Sequence, residues 1–266
     1  MPITKKMKLF KQFLCVTLIL LSFASFTKVE CNHSIIEERH DLFMLAVMSY
    51  LYSDLPTHPR PGADIAGLIA WDVENEQETP EFVIERNRNF ERHSNISHAE
   101  IMVIEKAIAK RRPFNEPLSA TNAEKSQRYS FLLANATLYC SLEPCLFCQT
   151  GMSLSRIPNA FYFMEDVVMR NEIQQFCSSL PDRILGRKKT QCVLSTLPLA
   201  IQANNDMREI LLKEPVPTTA HFVKYLEEYG SSIYTTAYEQ LSGYEVQHSQ
   251  NKELLENLQF SLGIKK

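Results

Sequence analysis

Two short motifs constrain this chain more than any other feature: His98-Ala99-Glu100, and Pro144-Cys145-Leu146-Phe147-Cys148. Each is weak alone, since His-x-Glu arises by chance and a C-x-x-C pair serves several chemistries. Together they offer one imidazole and two thiols. That set fills three positions of a tetrahedral zinc ion and leaves the fourth open, as a catalytic zinc requires. Whatever the fold, it must bring residue 98 beside residues 145–148. Pro144 is predicted to open a helix, where proline is best tolerated. Cys145 and Cys148 then fall in its first turn, where exposed N–H groups and the helix dipole favour the thiolates that bind metal. Glu100, two residues from a ligand, is the candidate acid–base group, able to carry a proton from the activated water to a substrate nitrogen.

The pattern around these motifs predicts an α/β fold. Residues 35–53 carry apolar side chains at helical spacing, and a second helix runs over 98–110. Ile65–Val73 and Glu81–Arg86 read as strands, as do Ala136–Ser141, Asn159–Met164 and Gln191–Leu197. The helix at the C-x-x-C pair is expected to run from Pro144 to about Ser155. The order β-β-α-β-α-β-α-β-α predicts a three-layer α/β/α arrangement, with helices on both faces of a mixed five-stranded sheet. Glu214-Pro215-Val216-Pro217 marks a candidate boundary. We expect residues 35–213 to form the site-bearing domain. Residues 214–266 form a helical C-terminal extension, with helices over Ala220–Tyr229 and Glu245–Leu262.

The pairing of His-x-Glu with Pro-Cys-x-x-Cys is the signature of zinc deaminases that act on nucleobases. The wording extends further. Ala136 through Cys148, ATLYCSLEPCLFC, resembles the run A-T-L-Y-x-[ST]-x-E-P-C-x-M-C of tRNA adenosine deaminases and bacterial guanine deaminases. His98 through Met102 and Ser155-Arg156-Ile157 also fit, so the resemblance covers roughly Ile65 to Leu197. It implies a cytidine deaminase-like α/β/α sandwich and zinc-dependent hydrolytic deamination of a nucleobase or nucleoside, with a purine such as adenosine or guanine favoured. Structured RNA is a further substrate option, and a homodimer is within the expectation. Zinc would be held by His98, Cys145 and Cys148, with Glu100 catalytic. The family's purine-binding Asn, eleven positions before the ligand His, falls on Asn87, with Asn89 the neighbouring alternative. The chain departs from the family at Phe147, where a Met is usual, and at Ser94-Asn95-Ile96-Ser97, where Asp-Pro-Thr-Ala is usual.

The N-terminus reads as an export signal. Lys5, Lys6, Lys8 and Lys11 precede an apolar run of about fourteen residues from Phe13 to Phe26, too short for a comfortable membrane span. Residues 1–24 are therefore expected to be cleaved, giving a periplasmic or secreted protein with no membrane segment. The alternative is an anchor left uncleaved. Loss of these four lysines and no acid takes the formal charge from −3 to −7, which disfavours non-specific nucleic-acid binding. The basic runs at 110–112 and 183–189 are expected to be solvated loops. Cys31, Cys140, Cys177 and Cys192 could supply one or two disulfides after export, Cys140 fitting a core thiol better. Asn32, Asn95 and Asn135 head glycosylation sequons, and a glycan at Asn95 would crowd His98. We expect a bacterial source that leaves them bare. Two other functions compete: an exported thioredoxin-like disulfide oxidoreductase using the C-x-x-C pair, and a catalytically inactive deaminase fold that keeps zinc as a binding module.

Overall fold

The computed structural model describes residues 33–53, 62–111, 131–167, 183–184, 187–211, 213 and 224–264. The leader, Cys31, Cys177, the sequon at Asn32 and the boundary at 214–217 lie outside them.

Helix α1, Ile35–Ser53, begins with a reciprocal capping box. The Ser34 N–H donates to Glu37 Oε2 at 2.8 Å, and the Glu37 N–H donates to Ser34 Oγ at 3.2 Å. From Leu42 to Met48 every residue of α1 is buried. A helix apolar all round must be covered all round, and this one lies between the sheet and later helices.

Strands β1 (Ala66–Trp71) and β2 (Phe82–Arg86) pair antiparallel, followed by the short helix α2 (Asn89–Arg92) and by α3 (Ala99–Arg111). Strand β3 (Ala136–Leu142) leads into α4 (Leu146–Leu154), then β4 (Asn159–Met164). Two short strands, β5 (Arg183–Ile184) and β6 (Arg187–Lys188), pair with each other as a separate ribbon. Strand β7 (Gln191–Leu194) completes the main sheet, in the order β2-β1-β3-β4-β7. Strands β3, β4 and β7 are parallel, and β1 runs antiparallel to both its neighbours. The mixed five-stranded sheet with helices on both faces is the one the sequence predicts.

Period-two alternation splits the core. Leu68, Ala70, Tyr139 and Phe163 face α1, α5 (Pro198–Leu211) and α6 (Ser231–Ser242). Ile69, Leu138, Cys140 and Ala160 face the other way, onto Val103, Ile104 and Ala107 of α3 and Met152 of α4. Because helices cover both faces, β1 reads as an unbroken apolar run.

Four expectations need correction. Helix α4 starts at Leu146, and Cys145 caps it in an extended conformation (φ −65°, ψ 168°), so Pro144 and Cys145 precede the first turn. The fifth strand stops at Leu194, because Ser195 turns the chain by accepting the Leu197 N–H on its Oγ at 3.2 Å. At the C-terminus, a π-helical turn over Leu226–Gly230 leads into α6, and α7 spans only Lys252–Ser261. The predicted helix from Glu245 fails because the N–H groups of Gln247 and His248 donate to the buried Glu38 carboxylate. Finally, neither basic run is simply a loop: Lys110 and Arg111 close α3 and pair with Glu81, the Arg111 guanidinium lying 4.7 Å from the Trp71 ring centre, and Arg183–Ile184 pairs with Arg187–Lys188 as a two-stranded ribbon.

Helices α6 and α7 share one apolar cluster with α1. A buried polar network reinforces the join, with Arg39 Nε donating to Asn251 Oδ1 at 2.8 Å and Asn251 Nδ2 to Glu38 Oε2 at 2.8 Å. Among the described residues no helix is long and apolar enough to cross a membrane.

Candidate metal centre

Three chain segments meet at one edge of the sheet. The start of β1, the end of β2 and the end of β3 lie there together, since Ala66 is the register partner of Arg86 and Gly67 that of Cys140. The Ala66 N–H also donates to Ser141 Oγ at 3.0 Å. This is the carboxyl end of parallel β3 and β4, where open α/β sheets bind ligands. Helix α3 reaches the same edge because Gly67 has no side chain: a Cβ there would stand 3.2 Å from Val103 Cγ1 and 3.4 Å from the Ala99 carbonyl. Close approach of α3 to β1 brings His98, just before its first turn, over the end of β3.

His98 Nδ1 lies 3.5 Å from Cys145 Sγ and 3.4 Å from Cys148 Sγ, and the two sulfurs are 3.6 Å apart. Zinc bonds of about 2.3 Å to sulfur and about 2.05 Å to nitrogen, at tetrahedral angles, require separations of about 3.8 Å and about 3.6 Å. The observed triangle matches within a few tenths of an ångström. His98, Cys145 and Cys148 thus form a candidate zinc site whose donors fit the ion in type and spacing.

Titration behaviour follows from this crowding. The hydrogen bond from Cys148 chiefly holds the Cys145 thiol down to about 4, with help from His98. Cys148 is pushed up by donating that bond and by its burial. His98 is raised, first by its hydrogen bond to Cys145. The two thiols titrate as a unit, and a divalent cation between them favours both thiolates. Glu100 is buried in the first turn of α3, within hydrogen-bonding reach of the Cys148 side chain, and burial raises its carboxyl to about 7. Cys140 lies behind the site in the core as a buried free thiol.

The opposite side of the site is built from residues 87–97. Asn87 follows β2 directly and is only 2% exposed. The Arg88 N–H donates to the Ser97 carbonyl at 3.0 Å, which closes the loop and sets Asn87 and His98 side by side. Asn87 Oδ1 accepts the Asn89 N–H at 3.0 Å. Asn89, the alternative, gives only its backbone N–H to that bond, and its own Oδ1 is buried with no hydrogen-bond partner. Phe147, between the two cysteines, is 47% exposed with its ring edge-on to His98 at 6.2 Å. Asn95 is exposed on the loop tip, and Asn135 is exposed on the turn before β3. Sequence reasoning missed Ser141, which ties β3 to the start of β1, and Gly62, which packs against Asn87. The only signal for Gly62 in the sequence is its place beside Pro61, between the predicted helix over 35–53 and the strand from Ile65.

A three-layer α/β/α sheet thus carries a His-Cys-Cys donor set with a buried carboxyl group two residues from its His, the residue types a zinc site with one open position uses. Residues 73–164, about a third of the chain, match the family model of the cytidine and deoxycytidylate deaminase zinc-binding region. No curated protein matches the chain by sequence. Solved structures resemble it at low identity. One is from studies of A-to-I editing by tRNA:A34 deaminases at the wobble position of transfer RNA: 21% identity, TM-score 0.39, covering 59% of this chain and 98% of that one. A guanine deaminase from Nitrosomonas europaea is 13% identical with a TM-score of 0.36, covering 76% and 84%. A diaminohydroxyphosphoribosylaminopyrimidine deaminase/reductase from Thermotoga maritima is 16% identical with a TM-score of 0.35, covering 64% and 42%.

Proposed function

We propose that this chain is a zinc-dependent hydrolytic deaminase acting on a purine base or nucleoside, with Glu100 moving the protons and Asn87 binding the ring. One observation carries the reading: the buried Glu100 carboxyl lies against the Cys148 side chain of the His98-Cys145-Cys148 triangle. Zinc held by these three residues would supply a water made nucleophilic near neutral pH. Glu100 takes the proton from that water as its oxygen attacks the amino-bearing ring carbon, and passes it to the adjacent ring nitrogen. The hydroxyl proton of the added oxygen, again through Glu100, goes to the amino nitrogen; the C–N bond breaks, ammonia leaves and that oxygen remains as the ring carbonyl. Asn87 holds the heterocycle by hydrogen bonding.

The purine preference rests on the wording of residues 136–148 and on the placement of Asn87. Export is proposed from the leader's sequence alone, and N-terminal sequencing of the mature protein checks it. A disulfide oxidoreductase would leave His98 and Glu100 without a role, and an inactive binding module would not need Glu100. The test is an ammonia-release screen of the zinc-loaded protein against adenine, guanine, cytosine, their nucleosides and tRNA. We expect release from a purine. Release from cytosine or cytidine alone would overturn the purine preference, and a metal-free chain with a redox-active dithiol would overturn the deaminase reading.

A further inference from the structure

We infer that the strap Gly62–Ile65, which leads into β1, is the positioning element for Asn87, and that the missing side chain of Gly62 sets where the Asn87 amide stands. This rests on the substrate-binding role proposed for Asn87. Three of the four strap residues touch the end of β2. The Ile65 carbonyl accepts the Asn87 N–H at 2.9 Å. Asp64 Oδ1 pairs with Arg86 Nη2 at 3.5 Å, where the Arg86 side chain is almost wholly buried. Gly62 is itself buried against Asn87: a Cβ added there would stand 2.4 Å from Oδ1 and 2.5 Å from the backbone oxygen.

Both distances are far inside van der Waals contact, and one of the opposing atoms is main chain. A rotamer change at Asn87 could relieve only the first clash, so the strap or the β2 end must shift. From its other side the same Oδ1 is fixed by the Asn89 N–H. The amide oxygen is thus clamped between strap and loop, leaving Nδ2 as the group available to a ligand acceptor. The strap also reaches the C-terminal layer. Tyr234 of α6, fully buried, brings its hydroxyl to 3.5 Å from the Asp64 carbonyl. Helix α6 therefore buttresses the substrate side of the site while making no part of the metal side.

The test reads kcat and KM for ammonia release from guanine and from adenosine, with zinc content measured on every variant. Gly62→Ala is expected to raise KM about tenfold and change kcat by less than about threefold, with one zinc per chain retained. Asn87→Ala should raise KM comparably, and the double variant should be no worse than Asn87→Ala alone. A folded, zinc-loaded Gly62→Ala protein with unchanged KM, or an effect that adds fully to that of Asn87→Ala, overturns the inference. If Asn87→Ala leaves KM unchanged, the substrate role of Asn87 fails and the inference falls with it. A raised KM in Asn87→Ala without one in Gly62→Ala sinks the inference alone. Should Gly62→Ala not fold, Asp64→Asn, which loosens the strap from Arg86, is read the same way, and an unchanged KM overturns the proposal. Wild-type protein that deaminates neither compound overturns the purine reading and this inference together.

Discussion

The two sides of the site are held by different kinds of contact. On the metal side, position comes from local structure: Cys145 caps α4, Cys148 lies one turn on, and His98 immediately precedes α3. Few contacts other than the packing of α3 on β1 are needed to close the triangle. On the proposed substrate side, Asn87 is placed by a strap some twenty residues before it, by the Arg88–Ser97 bond and, through Asp64 and Tyr234, by a helix near the C-terminus. The difference teaches that the chemistry is written in two short motifs, whereas the fit to a ligand depends on the whole body of the protein. Substitutions far from the zinc should therefore alter binding sooner than turnover.

The comparison can be broken most severely from the metal side. His98→Ala or Cys145→Ala removes one of three protein ligands, so zinc content and ammonia release should both collapse, the latter by more than about 10³-fold. Metal analysis and a turnover assay read this directly. Next comes the scaffold. Arg39 is fully buried and donates to Asn251, to the Val73 and Asn75 carbonyls at 2.8 Å, and to the Glu78 carbonyl at 2.9 Å. Arg39→Met orphans those four acceptors at once, which should cost about 3 to 5 kcal/mol in urea unfolding. Zinc affinity of the folded variant should stay unchanged, because α1 touches the far face of the sheet.

A smaller effect sharpens the same division. His40 of α1 is wedged against Phe161 at 4.3 Å, with Nδ1 2.7 Å from the Tyr139 hydroxyl. Burial lowers its pKa to about 4 from an ordinary 6.5, against the opposing pull of Glu37. The unfolded chain therefore takes up this proton first as pH falls. Stability is complete above 6.5 and is lost between 6.5 and 4. Between pH 7 and pH 4.5 the wild type should lose about 2 kcal/mol more than His40→Gln, read by urea titration at the two pH values. The smallest effect belongs to the surface. Lys110→Ala removes an exposed pair with Glu81 and should change stability by under about 1 kcal/mol, with kcat and KM intact.

How much of this was legible in the sequence follows the same line. The zinc ligands could be read because spacing alone gives C-x-x-C at a helix start and His-x-Glu at another. Strands β1, β3 and β4 could be read because their largely buried runs are apolar, whereas β7 alternates exposed and half-buried residues and was legible only from its β-forming residues. What could not be read depends on partners distant in the chain. The helix expected from Glu245 is interrupted by Glu38, some two hundred residues earlier, and no local pattern announces that contact. Gly62 looks like any turn glycine until Asn87 is seen beside it. The cap at Cys145 was missed because Pro144 suits a first helical position equally well on sequence grounds.

The central claim is that Glu100 moves the protons at a zinc held by His98, Cys145 and Cys148. The most direct test is ammonia release by Glu100→Gln protein shown by metal analysis to carry one zinc per chain. The account predicts a fully loaded, folded protein with turnover reduced by about 10³-fold or more. Turnover at the wild-type rate with zinc in place would contradict it.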